Sequence, residues 1–279
     1  MGSQRFTVHK HEKDSVLLAY LADQLKVSRT RAKSLLDQRL VFVNQRRVWM
    51  AKHRLRGGDV VEVDAEQPDP RKADLSIVYQ SPTAIVINKP ANLLSNGTLS
   101  AESLLRLQLN LPGLVAVHRL DRHTTGCNLF ATSDESLDSL VEAFRCEAVQ
   151  KVYRAIVHGR PAFQRRTFDQ RLDGKSAVTH VQVQQTMGDA TLVRVRIETG
   201  RTHQIRRHLA QAGHPVVGDP QHGRQQVERS TLRLAGRPML HAESISLLAE
   251  ASHETIEAFA PVPSDMQGML RTLRSRSRT

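Results

Sequence analysis

Cysteine, tryptophan and acidic residues are all scarce in this sequence of 279 residues. There are two cysteines, Cys127 and Cys146, and one tryptophan, and aromatic residues make up 4% of the chain. Two thiols cannot form a disulfide framework or a four-cysteine zinc site, so a reducing compartment such as the cytoplasm is expected. Charged residues interrupt every apolar stretch of the first 30 positions. We therefore expect neither a secretory signal nor a membrane span there.

The shortage of acidic residues leaves a large excess of positive charge. Forty Lys and Arg residues face 28 Asp and Glu residues, which gives a net charge of +12 and an isoelectric point near 10.4. A surface this basic attracts polyanions, and nucleic acid is the first candidate. A basic protein without a polyanionic partner is the alternative. The 39% of hydrophobic residues suffices for the core of one large domain, or of a large and a small one.

The periodicity of the sequence predicts a small first unit over residues 14 to 64. Apolar residues at helical spacing predict one helix from Val16 to Leu25. Ser28 is placed to cap a second helix that ends near Gln38. Three short strands follow, with a Gly-Gly-Asp turn before the last of them.

Two segments of this unit resemble the S-four-like RNA-binding domain, which is named after a protein of the small ribosomal subunit. They are SRTRAKSLLDQRLVFVNQRRV at 28–48 and RLRGGDVVEV at 54–63. The resemblance implies that the second helix and the closing turn grip the RNA backbone. The residues expected to contact RNA are Ser28, Arg29, Arg31, Lys33, Arg54 and Arg56. A solvated basic helix face is the alternative interpretation of the same charges.

The remainder of the chain is predicted to hold a linker, a large domain and a tail. Residues 65 to 74 carry two prolines and no apolar periodicity, which is typical of a linker. From 75 to 269, strand-like and helix-like patterns mix without a regular βαβ rhythm, which favours an α+β domain. Residues 190–199 are predicted to form a strand and 202–211 a helix. Residues 270 to 279 are basic and contain several serines, and we expect a frayed tail there.

A candidate catalytic carboxylate lies in the segment VHRLDRHTTG at 117–126. Arg119 and Arg122 lie close to Asp121, and nearby cations favour the charged form of a carboxylate. A surface aspartate paired with arginines is the alternative, and the composition of this segment alone favours it. Two distant segments, KVYRA at 151–155 and TGRTHQIR at 199–206, favour the catalytic interpretation instead.

Together these segments resemble the RluA-type pseudouridine synthases, in order, from about residue 77 to residue 266. The matching motifs are VINKP at 86–90, HRLDR at 118–122, KVYRA at 151–155, GRTHQIRRHLA at 200–210, GHPVVGD at 213–219 and APVPSDM at 260–266. The resemblance implies an enzyme that isomerises uridine to pseudouridine in RNA. It also implies a catalytic domain with a long, mostly antiparallel sheet, and large-subunit ribosomal RNA as the substrate. The alternatives are transfer RNA as substrate and a non-catalytic ribosome-assembly factor.

The resemblance assigns three residues to the reaction. Asp121 is the catalytic carboxylate, Tyr153 lies against the target base, and Arg206 pairs with Asp121. The carboxylate acts either as a nucleophile or as a base at the sugar, and the sequence leaves both routes open. The residues expected to bind substrate around them are Lys89, His118, Arg119, Arg122, Thr125, Arg201, Thr202, His203, Gln204 and Ile205. For His118, a structural hydrogen bond is favoured over acid–base work.

Three positions depart from the family pattern, and none is among the three reaction residues. Thr125 stands where serine is usual, Asn92 where glycine is usual, and His222 where tyrosine is common. We expect any effect of these departures to fall on the choice of target.

RNA is the only partner that the sequence predicts. His203 and His208 are five apart and lie on different faces of a helix, whereas a zinc pair needs a spacing of four. Neither paired histidines nor a carboxylate cluster suited to phosphodiester cleavage appears. We therefore expect no metal, no cofactor, no obligate protein partner and a monomer.

Overall fold

A computed structural model describes most of the chain. The described residues are 4–12, 14–37, 40–44, 46–48, 50–63, 75–145, 149–223, 235–249 and 254–276. The predicted linker at 65 to 74 and Cys146 lie outside these ranges. The chain divides into two compact units, Met1–Lys72 and Ala73–Thr279. Within the described part, no helix combines the length and the apolar character that crossing a membrane requires.

The first unit packs two helices on a four-stranded antiparallel sheet. Its elements are β1 (Gln4–Thr7), α1 (Leu17–Gln24), α2 (Arg29–Asp37), β2 (Val41–Val43), β3 (Arg46–Arg47) and β4 (Val60–Val63). The strand order is β1-β4-β2-β3. Leu17 and Leu21 of α1, Leu36 of α2 and Val61 of β4 share one buried cluster. Both predicted helices are confirmed, since their apolar positions pack against this sheet.

The first unit begins earlier than predicted. Strand β1 pairs with β4 along its whole length, from Gln4 opposite Val63 to Thr7 opposite Val60. Val8, just after β1, is buried in the core of the unit. The predicted boundary at residue 14 is therefore wrong, because pairing with a distant strand, rather than local periodicity, makes this segment a strand.

The second unit is built on a ten-stranded sheet. Its strands are β5 (Ile77–Gln80), β6 (Ala84–Lys89), β7 (Val115–Ala116), β8 (Thr125–Ala131), β9 (Gln150–His158), β10 (Arg165–Phe168), β11 (Thr179–Met187), β12 (Ala190–Ile197), β13 (Leu240–Ala249) and β14 (Glu254–Phe259). The main path runs β10-β11-β12-β9-β13-β8-β6-β5, with β14 on β13 and β7 on β8. Every described pairing is antiparallel except that of β8 with β13. The predicted α+β class with a mostly antiparallel sheet is confirmed.

Helices pack on both faces of the β12 region. The helices in the described residues of this unit are α3 (Ala101–Leu109), α4 (Asp134–Arg145), α5 (Gln204–Gln211) and α6 (Ser264–Arg276). Val195 of β12 shares a buried cluster with Ile205 and Leu209 of α5. Leu192 shares a different cluster with Met266 of α6. Because side chains alternate along a strand, α5 and α6 lie on opposite faces of β12.

The expected frayed tail is wrong over residues 270–276, which form the second half of α6. Met266, Leu270 and Leu273 are buried together. Their spacing of four and three residues places them on one side of the helix, and burial of that side outweighs the basic, serine-containing composition. Residues 277–279 lie outside the described part of the chain.

Glycine is required where β8 meets β13. Gly126 lies opposite Ala242 and has a φ of +109°. A Cβ at position 126 would lie 2.0 Å from the carbonyl oxygen of Ala242. This close approach fixes the end of the loop that carries Asp121, five residues earlier.

Candidate active site

A cleft in the second unit gathers residues from four distant parts of the sequence. The loop before β8 contributes Asp121, β9 contributes Tyr153, α5 contributes Arg206, and Leu240 lies at the start of β13. The full lining is Arg119, Leu120, Asp121, Thr124, Tyr153, Ile197, Gly200, Arg201, His203, Gln204, Ile205, Arg206 and Leu240. The structure thus brings together the three residues that the resemblance assigns to the reaction.

Asp121 is held by Arg206 and remains open to solvent. Nη1 of Arg206 donates to Oδ2 of Asp121 at 3.2 Å. The side chain of Asp121 is 28% exposed, whereas that of Arg206 is 7% exposed. Nε2 of His203 lies 3.9 Å from the other carboxylate oxygen, Oδ1. The buried cation therefore orients a carboxylate that a ligand in the cleft can reach.

Arg206 is itself anchored by Asp219. Nε and Nη2 of Arg206 donate to the two carboxylate oxygens of Asp219 at 2.7 and 2.8 Å. Asp219 is fully buried and also accepts from the backbone N–H groups of Gln221 and His222. Burial raises the pKa of Asp219, but Arg206 and these N–H groups outweigh it and lower the pKa overall. The bidentate pair leaves Nη1 as the group that faces Asp121.

Tyr153 forms part of an apolar wall of the cleft. It lies on β9 between Val195 of β12 and Ala242 of β13. Its ring packs in the same buried cluster as Leu120, Ile197 and Ile205. Burial raises the pKa of the Tyr153 phenol, so the side chain is neutral at physiological pH. The wall therefore offers a neutral aromatic ring close to a charged carboxylate.

Comparison with known proteins identifies the family of this chain. A family model described as RNA pseudouridylate synthase matches residues 83–211. A relative in Chloroflexus aurantiacus, named as an uncharacterized RNA pseudouridine synthase, is 35% identical over 90% of this chain and 87% of its own length. Ribosomal large subunit pseudouridine synthase D of Neisseria meningitidis serogroup B is 31% identical over 94% of this chain and 78% of its own length. The chain belongs to the RluA-type family of RNA pseudouridine synthases.

The fold of this pseudouridine synthase has a solved counterpart. Human RNA pseudouridylate synthase domain containing 1 superimposes with a TM-score of 0.60 at 25% identity. The match covers 75% of this chain and 98% of the human one. The family model and the named relatives confirm the family expected from the motifs and the RNA pseudouridine synthase activity.

In this synthase, Gln204 lines the cleft and also orders the turn before α5. Its Oε1 accepts from Thr199 Oγ1 at 2.8 Å and from the N–H of Arg201 at 3.0 Å. Its Nε2 donates to the carbonyl of Val178 and to Thr179 Oγ1. These four bonds occupy the buried amide. Arg201 and Ile205 line the cleft, whereas Thr202 is exposed outside its lining.

Lys89 does not line the cleft of the synthase, contrary to the expectation that it binds substrate. It is fully buried, and its ammonium donates to the carbonyls of Leu93, Pro90 and Arg122 at 2.8, 3.0 and 3.3 Å. Burial, with a further contribution from Arg237, lowers the pKa of Lys89 to about 7. Lys89 ties the strand end at β6 to the loop that carries Asp121.

His118 and Thr125 also serve the scaffold of the synthase and do not line the cleft. Nε2 of His118 accepts from the N–H of Leu129 at 3.1 Å, and its ring stacks on Phe144. Burial lowers the pKa of His118 to about 3, so the imidazole is neutral. Oγ1 of Thr125 lies 2.9 Å from Nδ1 of His241, inside the protein. Thr124 lines the cleft instead.

The arginines on either side of Asp121 differ in position. Arg119 is exposed and lines the cleft. Arg122 is not among the lining residues, and its Nε donates to the carbonyl of Asn92 at 3.2 Å. Of these two expected substrate contacts, the cleft includes Arg119 alone.

Two buried residues that position the loop of Asp121 were not predicted from the sequence. Arg237 makes a bidentate pair with Asp265 at 2.7 and 2.9 Å, and its Nη1 donates to the carbonyls of His123 and Leu240. Oγ of Ser95 accepts from the N–H of Leu120 at 2.9 Å and donates to its carbonyl at 3.3 Å. The APVPSDM motif includes Asp265, but nothing in the sequence links it to Arg237.

The predicted RNA contacts of the first unit are on its surface. Oγ of Ser28 accepts from the N–H of Arg31 at 3.2 Å and so caps α2. Arg29, Arg31 and Lys33 are exposed on that helix. Arg54 and Arg56 are also exposed, and Arg54 donates to the carbonyl of Asp14.

Metal binding finds no support in the described part of the synthase. No group of three or more His, Cys, Asp or Glu side chains is placed there to hold a metal ion. His208, five residues after His203, is fully buried between Thr179 and the carbonyl of Gln170.

Proposed function

We propose that this synthase isomerises uridine in large-subunit ribosomal RNA, with Asp121 as its catalytic carboxylate. The observation that carries the proposal is the contact of Arg206 with Asp121, at 3.2 Å, in a cleft that also holds Tyr153. The names of relatives such as ribosomal large subunit pseudouridine synthase D support this class of substrate. Transfer RNA is the alternative substrate.

The reaction rearranges one nucleotide without adding or removing atoms. The bond between the anomeric carbon and a uracil nitrogen breaks, the base turns, and a ring carbon takes the place of the nitrogen. A proton leaves that carbon, and a proton is bound at the freed nitrogen. Asp121 attacks the anomeric carbon as a nucleophile or removes a proton from the sugar as a base, and Arg206 keeps it oriented for either role.

Tyr153 is proposed to hold the target base while it turns. A base must leave its stack to enter the cleft, which costs a few kcal/mol when it is paired. Stacking on an aromatic ring returns about 1–3 kcal/mol. Leu120, Ile197 and Ile205 complete an apolar wall around the ring, and this wall supports the assignment.

The first unit is proposed to hold RNA as an S-four-like domain. Arg29, Arg31 and Lys33 on α2, with Arg54 and Arg56 near the closing turn, are exposed cations that suit phosphate contacts. The proposal includes action as a monomer in the cytoplasm, without an obligate protein partner. The low cysteine content and the net charge of +12 support that setting.

Mapping pseudouridine across total RNA from cells with and without this protein tests the proposed substrate. We expect the modification to disappear at one or a few uridines of large-subunit ribosomal RNA. Loss confined to transfer RNA would instead identify the alternative substrate. If no site changed in either class of RNA, the proposed ribosomal substrate and the transfer RNA alternative would both be wrong.

A further inference from the structure

A second basic surface lies on strands β10, β11 and β12. We call it the basic groove, and it encloses about 450 Å³. Arg165 and Arg166 of β10, His180 of β11, and Arg194 and Arg196 of β12 line it, together with polar and apolar residues but no carboxylate. Side chains alternate along a strand, so Arg165, Arg194 and Arg196 project from one face of the sheet, whereas Arg166, opposite Val181, projects from the other.

The basic groove opens on the sheet face that lies away from the cleft. Val193, Val195 and Ile197 of β12 belong to the cluster that contains Tyr153, and Ile197 lines the cleft. Arg194 and Arg196 alternate with these residues along the same strand. Successive side chains of a strand point to opposite faces, so the two arginines project away from Asp121.

Most of the positive charge in the basic groove is not neutralised. Arg165 and Arg194 are exposed, and within the described chain neither forms an ion pair. Arg196 contacts Glu198 at 3.3 Å, but Glu198 also binds His180 at 2.6 Å. Glu198 thus supplies one negative charge beside the three arginines Arg165, Arg194 and Arg196, so the groove has a net positive potential.

The arginines of the basic groove are mounted on paired strands at fixed spacing. In the register of the sheet, Arg165 lies opposite Gln182, and Gln182 lies opposite Arg194. Arg165 and Arg194 are therefore two strands apart, about 10 Å, and Arg196 follows Arg194 by about 7 Å. Such an array suits a ligand with repeated negative charges.

We infer that the basic groove binds the phosphate backbone of RNA that flanks the target uridine. Guanidinium groups recognise phosphates through paired N–H donors, and an established RNA synthase encounters RNA phosphates in every substrate. Every lining residue except Val181 is polar or charged, which disfavours a protein partner.

The connection between β10 and β11 links the cleft to the basic groove. Arg201, which lines the cleft, donates from Nε to the carbonyl of Ser176 in that connection. Arg207 of α5 makes a bidentate pair with Asp173 in the same segment. RNA that leaves the cleft past this connection reaches the edge strand β10 and, beyond it, the basic groove.

Binding of a short RNA duplex without unpaired uridines tests this inference in the full-length protein. Such a probe has no base for the cleft, so it measures binding to the RNA backbone alone. We expect Arg165→Gln/Arg194→Gln to weaken binding several-fold. The slope of log K against log salt should become shallower by about 0.9 for each phosphate that is no longer neutralised. Arg165→Lys/Arg194→Lys should keep the slope because it keeps the charges.

Arg145→Gln is the control, since it removes an exposed charge from α4. It should leave affinity and slope unchanged. Turnover of a short hairpin at saturation should be the same in the Arg165→Gln/Arg194→Gln variant as in wild type, because the groove faces away from Asp121. The inference would be overturned if Arg165→Gln/Arg194→Gln bound duplex RNA with the same affinity and salt slope as Arg145→Gln. It would also be overturned if Arg165→Gln/Arg194→Gln lost turnover while its salt slope stayed the same.

Discussion

Arg206 makes a bidentate ion pair with Asp219, at 2.7 and 2.8 Å, and only a single hydrogen bond with Asp121. Asp219 is fully buried, whereas Asp121 is partly open to solvent. The guanidinium is therefore fixed from the inside of the protein and presents one N–H group to the carboxylate in the cleft. Asp219 acts as a positioning residue, and the orientation of Asp121 depends on it through Arg206.

Replacing Asp219 should harm both stability and turnover. Asp219→Asn leaves Arg206 buried without its main counter-charge, and breaking a buried pair in this way costs about 3–5 kcal/mol. Urea unfolding measures that cost, and kcat should fall because Arg206 no longer orients Asp121. Asp173→Asn is the matched control, since Asp173 makes the same bidentate contact with Arg207 on the surface. Equal stability of the two variants would contradict the proposed anchoring.

The ring of Tyr153, rather than its bulk, should matter for catalysis. Tyr153→Leu keeps an apolar side chain but removes the stacking surface, which is worth about 1–3 kcal/mol. We therefore expect kcat/KM to fall by roughly 5-fold to 150-fold, and Tyr153→Phe to retain more activity than Tyr153→Leu. Steady-state kinetics on a hairpin RNA gives both values. A Phe variant no better than the Leu variant would rule out stacking as the main role.

Lys89 should make the stability of the protein depend on pH. Burial lowers its pKa from 10.5 to about 7 in the folded state. Between these values the unfolded chain binds more protons, so the free energy of unfolding contributed by Lys89 rises with pH, by up to about 1.4 kcal/mol per unit. Wild type should therefore gain stability relative to Lys89→Met between pH 7 and 9. Urea unfolding measures the free energy of unfolding of both proteins across this range. If the difference between wild type and Lys89→Met did not change with pH, the lowered pKa of Lys89 would be refuted.

The exposed cations of α2 should set part of the salt dependence of RNA binding. Arg29→Gln/Arg31→Gln/Lys33→Gln removes three charges from one short helix. For single-stranded RNA, the slope of log K against log salt should become shallower by about 0.7 for each phosphate that is no longer neutralised. Turnover of a saturating hairpin should not change. Arg5→Gln, on β1 of the same unit, serves as the control. If Arg5→Gln changed the salt slope as much as each charge removed from α2 does, α2 would have no specific role in RNA binding.

The elements with clear apolar periodicity were predictable from the sequence. The helices α1, α2 and α5 and the strand β12 lie within two residues of their predicted bounds. Each buries one regular stripe of side chains, and that stripe is visible in the sequence. The sequence of β1 shows no such stripe. This segment is a strand because it pairs with β4, which is distant in the sequence.

The contacts that position the site were harder to predict. The contact between Arg206 and Asp121, 85 residues apart, was expected only from the family resemblance. Arg206 with Asp219 and Arg237 with Asp265 are also long-range pairs, and no periodicity relates their members. Lys89, His118 and Thr125 lie in or beside the matched motifs but face inward, because those motifs include residues that hold the loop as well as residues that line the cleft.

The Asp121→Asn variant gives the most direct test of the central claim, that Asp121 is the catalytic carboxylate. The amide keeps the size of the side chain and removes the charge that either catalytic route uses. Pseudouridine formed on a hairpin RNA, measured by tritium release at saturating enzyme, is the decisive quantity, with melting temperature and RNA affinity as controls. We predict no detectable product from a variant that melts and binds RNA like wild type. Turnover near the wild-type rate would contradict the assignment of Asp121.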